Sequence, residues 1–157
     1  MATFTTGTYD AQNPNRNNIS RLLDKNIASG EVEFAVVQYA LAGTEAANDV
    51  IDLCILPAGV TPVPQLSKIT CGADPGTTLT MHVGTAAAAS GWINGAVLSA
   101  GGEVSADTTN IATWVTPTPL AADAGSGNAV VFATVASANT LTASTVLTFL
   151  LAFKRGR

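Results

Sequence analysis

Charge is what this 157-residue chain has least of: Asp, Glu, Lys and Arg together make up 11% of it. Long solvated helices draw on Lys and Glu, and their scarcity beside abundant Thr and Val predicts short strands joined by turns. A surface so poor in charge also does little to deter association, which points to subunits covering part of it. Aromatic residues are only 6%, so the apolar content of 47% is Ala, Val, Leu and Ile. One histidine, His82, and two cysteines, Cys54 and Cys71, are too few for a zinc cluster. There is no phosphate loop, no dinucleotide fingerprint and no Gly-x-Ser-x-Gly nucleophile elbow. No cofactor, no metal and no enzymatic activity are expected. The most apolar run, Ser144–Phe153 (STVLTFLLAF), is too short to span a bilayer and is interrupted by threonine. It reads as a closing strand, and no membrane partner is expected.

The charge that is present is unevenly placed. From Asn26 to Phe153 the only basic residue is Lys68, against nine acidic ones. Arg16, Arg21 and Lys25 precede that body, and Lys154, Arg155 and Arg157 follow it. Nucleic-acid binding needs a basic face, so an acidic body with short basic ends argues against it. The ends fit either solvated tails or a grip on an acidic protein surface. No charged segment followed by an apolar run opens the chain, which predicts folding in the cytosol.

The length fits one domain with a core of its own. Residues 1–30 are polar and Asn-rich, with a short apolar patch at Ile19, Leu22 and Leu23, and read as an N-terminal arm. Residues 31–157 read as an all-β, antiparallel β-sandwich of about eight strands, jelly-roll-like. The expected strands are Glu33–Leu41, Asp49–Leu56, Gln65–Cys71, Thr77–Val83, Trp92–Ser99, Asn110–Val115, Ala129–Ala136 and Thr145–Phe153. Thr85–Gly91 and Pro117–Asn128 are expected as surface loops. Alternation in Asp49–Leu56 places Ile51, Leu53 and Ile55 on one face. If that strand and Gln65–Cys71 form a hairpin, Cys54 and Cys71 stand about 13 Å apart at strand rise. A disulfide needs Cα atoms within about 7 Å, so two buried thiols are predicted.

Asp74-Pro75-Gly76-Thr77 fits a type II turn, with Asp74 bonding amides beyond it, and is expected to set a hairpin. After it, Leu79, Met81 and Val83 point one way, and Thr78, Thr80 and His82 the other. His82 is thus expected outward, at solvent or an interface, with Asp74 too far along the strand to orient it as a base. Trp92 and Trp114 could stack on a sugar, but read more simply as core or inter-subunit aromatics, and both are possible interface residues.

Several segments resemble a group of small tailed-bacteriophage virion proteins. They are Ile55-Leu-Pro-Ala-Gly-Val60, Gly72-Ala-Asp-Pro-Gly-Thr-Thr-Leu-Thr80 followed by Val83-Gly84, Gly91-Trp-Ile-Asn94 and Ala100-Gly-Gly102. The likeness runs from about Val50 to Phe153 and rests on turn chemistry. It implies a capsid decoration (cement) protein: a jelly-roll homotrimer on the head exterior, clamping neighbouring copies of the major capsid protein. Under that reading Arg16, Arg21 and Lys25 are the expected capsid contacts. The alternative is another virion part, such as a head fibre or a tail-associated glycan-binding module.

Overall fold

In a computed structural model of the chain, the described residues are 3–5, 32–98, 103–105 and 119–155. They form strands β1 (Thr3–Thr5), β2 (Val32–Ala40), β3 (Val50–Pro57), β4 (Thr61–Pro62), β5 (Lys68–Cys71), β6 (Gly76–Thr85), β7 (Ala88–Leu98), β8 (Glu103–Ser105), β9 (Asn128–Leu141) and β10 (Val146–Lys154), with a 3-10 turn at Pro64–Leu66. Seven of the expected strands match β2, β3, β5, β6, β7, β9 and β10. The eighth, Asn110–Val115, lies outside the described residues, and β8 was not anticipated.

Two sheets face each other. One runs β1-β3-β9-β6-β7 and the other β2-β10-β5-β8, with β4 added on β10. Taking the eight longer-range strands, the chain changes sheet at every step except β6 to β7. This wrapping is that of a jelly roll, with first and last strands adjacent as β2 and β10. Pairing is antiparallel throughout except for β1, which lies parallel to β3.

Between the sheets the core is aliphatic, as the composition requires. Leu79, Met81 and Val83 from β6 meet Leu147, Phe149 and Leu151 from β10, all fully buried. Ala129 and Ala133 on β9 are equally buried and keep the middle of that sheet thin. Glu33 is also turned inward, where its Oε1 lies 3.0 Å from Nε of Arg155 in an ion pair without hydrogen-bond geometry. That contact ties down one of the basic residues at the C-terminal end.

Three local features depart from the sequence reading. First, β3 carries a bulge between Asp52 and Cys54. Ile51 pairs with Ala133, but Cys54 pairs with Val131 and Leu56 with Ala129, so the alternation changes phase at Leu53. Cys54 and Leu56 therefore join the core cluster in place of Ile55. Second, β3 and β5 sit in different sheets and form no hairpin. Neither cysteine is in a disulfide and both are buried, as expected, and burial pushes the Cys54 thiol up to about 12. A thiol reagent at mildly alkaline pH should leave Cys54 untouched in the native protein and titrate both cysteines once denaturant is added.

Third, Asp74-Pro75-Gly76 carries the chain from one sheet to the other. Oδ1 of Asp74 accepts the Gly76 amide at 3.0 Å, the expected local bond. Gly76 has φ +131°, and a Cβ there would fall on the Thr140 carbonyl, so the crossing is pressed against the end of β9. The hairpin comes instead at Thr85–Ala88, where only Ala86 and Ala87 separate β6 from β7 and replace the expected loop. A Cβ on Gly84 would collide with the Ala88 carbonyl. Gly84→Ala should therefore cost about 3 kcal/mol in denaturant unfolding, since backbone must shift to admit one methyl.

Loop 41–49 is organised by a carboxylate. Glu45 accepts from the Tyr39 hydroxyl at 2.8 Å, the Ala42 amide at 2.6 Å and the Gly43 amide at 2.9 Å. Burial works to raise its pKa, but the amides and the hydroxyl outweigh it and hold the carboxyl below its usual range. Burial and the neighbouring carboxylate push the Tyr39 hydroxyl above its own. Because the folded pKa of Glu45 is depressed, its contribution is complete above the unfolded value of about 4.3 and fades as pH falls through the folded one. Glu45→Gln should lower stability at neutral pH and flatten the acid limb of the stability profile, both read by thermal melts across pH.

Candidate interaction surface

The outer side of the β2-β10-β5-β8 sheet carries the features expected of a contact face. Alternation turns Phe34, Val36, Gln38 and Ala40 outward on β2, where they pair with Ala152, Leu150, Thr148 and Val146 on β10. Val36 is 60% exposed, Phe34 45% and Val146 44%. Leu150, half-buried, continues the apolar strip toward β5. Gln38 spans to Thr148 through a bond of 3.4 Å between Nε2 and Oγ1.

Charge on this face is mixed: Glu103 of β8 takes the register position opposite outward-facing Thr70. Lys68 pairs with Leu150, and Lys154 ends β10 opposite Val32, both outward-facing positions of the sheet. Among the described residues, Lys68, Lys154 and Arg155 are the only lysines and arginines, and two of them flank one apolar strip. Several carboxylates of the acidic body meanwhile serve internal bonds. Glu33, Glu45 and Asp49 are buried, and Asp123 accepts the Val130 amide at 2.7 Å. Among the described residues β2 is an edge strand of nine residues, paired without interruption to β10, and its inward-pointing Glu33 is one of the devices that blunt such an edge. The exposed apolar side chains on its outer side are what mark a place of association.

His82 has a structural task. Two residues of β7, Asn94 and Gly95, oppose it between the pairs Met81–Ala96 and Val83–Ile93. Gly95 takes φ +67°, as a bulge of this kind requires, and its amide donates to Nδ1 of His82 at 3.0 Å. The ring thus fastens the bulge from a half-buried position on the threonine side of β6. Asp74 lies eight residues along, roughly 25 Å at strand rise, and cannot orient the ring. Among the described residues no group of three His, Cys, Asp or Glu could hold a metal.

Of the two readings of Trp92, core or inter-subunit aromatic, the structure fits the first. Trp92 is 1% exposed, and its Nε1 donates to the Ala152 carbonyl at 2.9 Å. Around Ala152, β10 has left β5 and not yet met β4, so its backbone groups need other partners. The Ala152 carbonyl accepts from Trp92 and from the Val63 amide at 2.8 Å, and the Ala152 amide donates to Oγ of Ser67 at 2.9 Å. The indole is thus a plug for a gap in the sheet, which alternation alone could not reveal. Trp114, Arg16, Arg21 and Lys25 lie outside the described residues. The strip at Phe34, Val36 and Val146 escaped the sequence reading because an apolar strand flanked by turns looks the same with one face buried as with two.

The chain is similar to solved phage capsid chains. To a chain of the capsid of Ralstonia phage GP4 it is 22% identical, with 99% of each chain covered and a TM-score of 0.63. To a chain of the cyanophage Pam1 capsid asymmetric unit it is 19% identical, covering 87% of this chain and 94% of that one, with a TM-score of 0.54. No protein-family model and no curated protein matches. At these identities the likeness establishes the fold, a two-sheet β-sandwich found in phage capsid chains.

Proposed function

We propose that this is a structural protein of a phage virion, a decoration protein that sits on the outside of the head and clamps neighbouring major capsid subunits. The observation that carries the reading is the lysine-flanked apolar face of the β2-β10-β5-β8 sheet, on a fold shared with phage capsid chains. An apolar strip with Lys154 exposed at one end suits a partner surface that is itself apolar, with acidic groups at its rim. Arg16, Arg21 and Lys25 would add contacts of the same sign from the N-terminal arm. The working unit is a homotrimer, which places three such faces on one site and multiplies a modest single-copy affinity. A glycan-binding role is less well supported, because buried Trp92 offers no ring face to a sugar.

The test is reconstitution. Heads purified from a phage lacking this gene product should take up the added protein to a fixed ratio with the major capsid protein. They should then resist heat and chelators better than bare heads. No uptake, or bare heads as stable as complete ones, would sink the proposal.

A further inference from the structure

Asn94-Gly95 is the only Asn-Gly step in the chain, and the bulge of β7 sets it opposite His82. An asparagine followed by glycine is chemically labile. Its side-chain amide carbon can close a five-membered ring with the next backbone nitrogen, and glycine has no Cβ to shield that nitrogen. In this protein the nitrogen also faces a base.

Three groups are assembled there. The electrophile is Cγ of Asn94, a half-buried residue within reach of water. The nucleophile is the Gly95 nitrogen: Gly95 has φ +67°, and a Cβ built on it would meet no atom beyond its chain neighbours within 4 Å. The base is Nδ1 of His82, which accepts the Gly95 amide proton at 3.0 Å. A backbone N–H can only donate, so this bond leaves Nδ1 bare and, in the uncharged ring, puts the proton on Nε2. The separation lies inside the reach of about 2.6–3.2 Å that a general base needs. β6 lies between β9 and β7, with His82 in register with Thr134, so the base stands on an inner strand and is held in place.

We propose that Asn94-Gly95 is a self-modifying site, at which His82 is the general base for succinimide formation. The Gly95 nitrogen attacks Cγ of Asn94 and gives its proton to Nδ1 of His82. The imidazolium passes that proton to the departing Asn94 nitrogen, the Cγ–Nδ2 bond breaks and ammonia leaves. Water then opens the ring at either carbonyl, which leaves aspartate or isoaspartate in place of the asparagine. One water is consumed and one ammonia released, with no oxidant or reductant. The change happens once per chain and adds a negative charge at the bulge. Its isoaspartyl form also lengthens the backbone by one methylene, where β7 already carries an extra residue. The site needs no partner and stands independently of the virion role.

The native protein, kept in neutral buffer made with heavy-oxygen water and sampled over weeks, is mapped by peptide mass spectrometry. Asn94 should convert with uptake of one heavy oxygen, and faster than Asn128 and Asn139, whose successors are Ala129 and Thr140. His82→Gln keeps an acceptor for the Gly95 amide but cannot hold the transferred proton. It should slow conversion roughly 100-fold, the lower end for a positioned base. Thermal melts report whether the variant keeps its fold. A native Asn94 that stays intact overturns the proposal. So does His82→Gln converting at an unchanged or higher rate, which would make the hydrogen bond a guard of the dipeptide. If the variant does not fold, the unmodified protein decides alone. Native Asn94 should then convert faster than in urea, where His82 no longer meets the Gly95 amide, and an equal or slower native rate overturns the proposal.

Discussion

Trp92→Ala should destabilise the protein by about 3–5 kcal/mol, the range for removing a large buried aromatic side chain. In denaturant unfolding the midpoint should fall sharply with little change in slope. Two losses combine. The indole is fully enclosed, so its removal leaves a cavity, and the Ala152 carbonyl loses one of its two donors. Trp92→Phe separates them. It keeps most of the volume and removes the N–H, while the Val63 amide still serves the carbonyl at 2.8 Å. Its cost should therefore be nearer 1 kcal/mol beyond the smaller loss of packing. If Trp92→Ala leaves stability unchanged, the side chain is not the plug between β4, β5 and β10 that the structure describes. A sugar-binding role would require the reverse pattern, with stability kept and binding lost.

Much of the fold was legible in the sequence because it follows from simple alternation. Period two puts Leu79, Met81 and Val83 on the face opposite Thr78, Thr80 and His82, and all three are fully buried. The low count of aromatics and charges signalled a β-sandwich with an aliphatic interior, and the jelly-roll order of the sheets agrees. What alternation cannot show is where it breaks. The bulge at Leu53 reverses the faces of Cys54, Ile55 and Leu56, although nothing in DVIDLCIL marks it. Asp74-Pro75-Gly76 has the composition of a tight hairpin turn, yet it spans the two sheets. Local turn chemistry fixes the backbone at three residues and leaves the destination of the following strand to long-range pairing. The real hairpin, at Ala86-Ala87, carries no turn residue of its own and depends on the bare Cα of Gly84.

The candidate surface was less legible than the fold, for a related reason. Sequence placed Lys68 alone in an acidic body and Lys154 in a basic tail, with 85 residues between them. Only the pairing of β5 and β10 brings both to the same outer face, beside Val36 and Leu150. Conversely, the acidic residues that dominated the charge count are partly consumed by internal contacts: Glu45 gathers three donors in one loop, and Glu33 meets Arg155. A formal net charge of −4 therefore does not say how charge is spread over this face, where Lys68, Lys154 and Glu103 all take outward register positions.

Under the proposed decoration role, Phe34→Asp with Val36→Asp should weaken head binding roughly 100-fold while leaving the fold intact. Both side chains project from the outer side of β2, 45% and 60% exposed, so their removal opens no cavity. Exposed substitutions of this kind usually change stability by no more than about 0.5 kcal/mol each. Binding is another matter, because two carboxylates would be carried into a contact that is apolar and meets acidic groups at its rim. Losing about 3 kcal/mol of binding free energy, roughly 100-fold in affinity, is the expected scale for the centre of such an interface. Titration of heads lacking the protein measures it, with Gln38→Ala on the same strand as the mild comparison. If the double variant binds normally, the head contact lies elsewhere, and neutralising Arg16, Arg21 and Lys25 becomes the decisive substitution. If the double variant instead falls to monomers, the strip is the seam between copies. The balance between these outcomes follows from one geometric fact: among the described residues β2 offers a neighbour both an edge and an apolar outer face. A flat capsid surface can cover the face without touching the edge, whereas an in-register copy must use the edge. Substitutions on the face alone therefore separate the two kinds of partner.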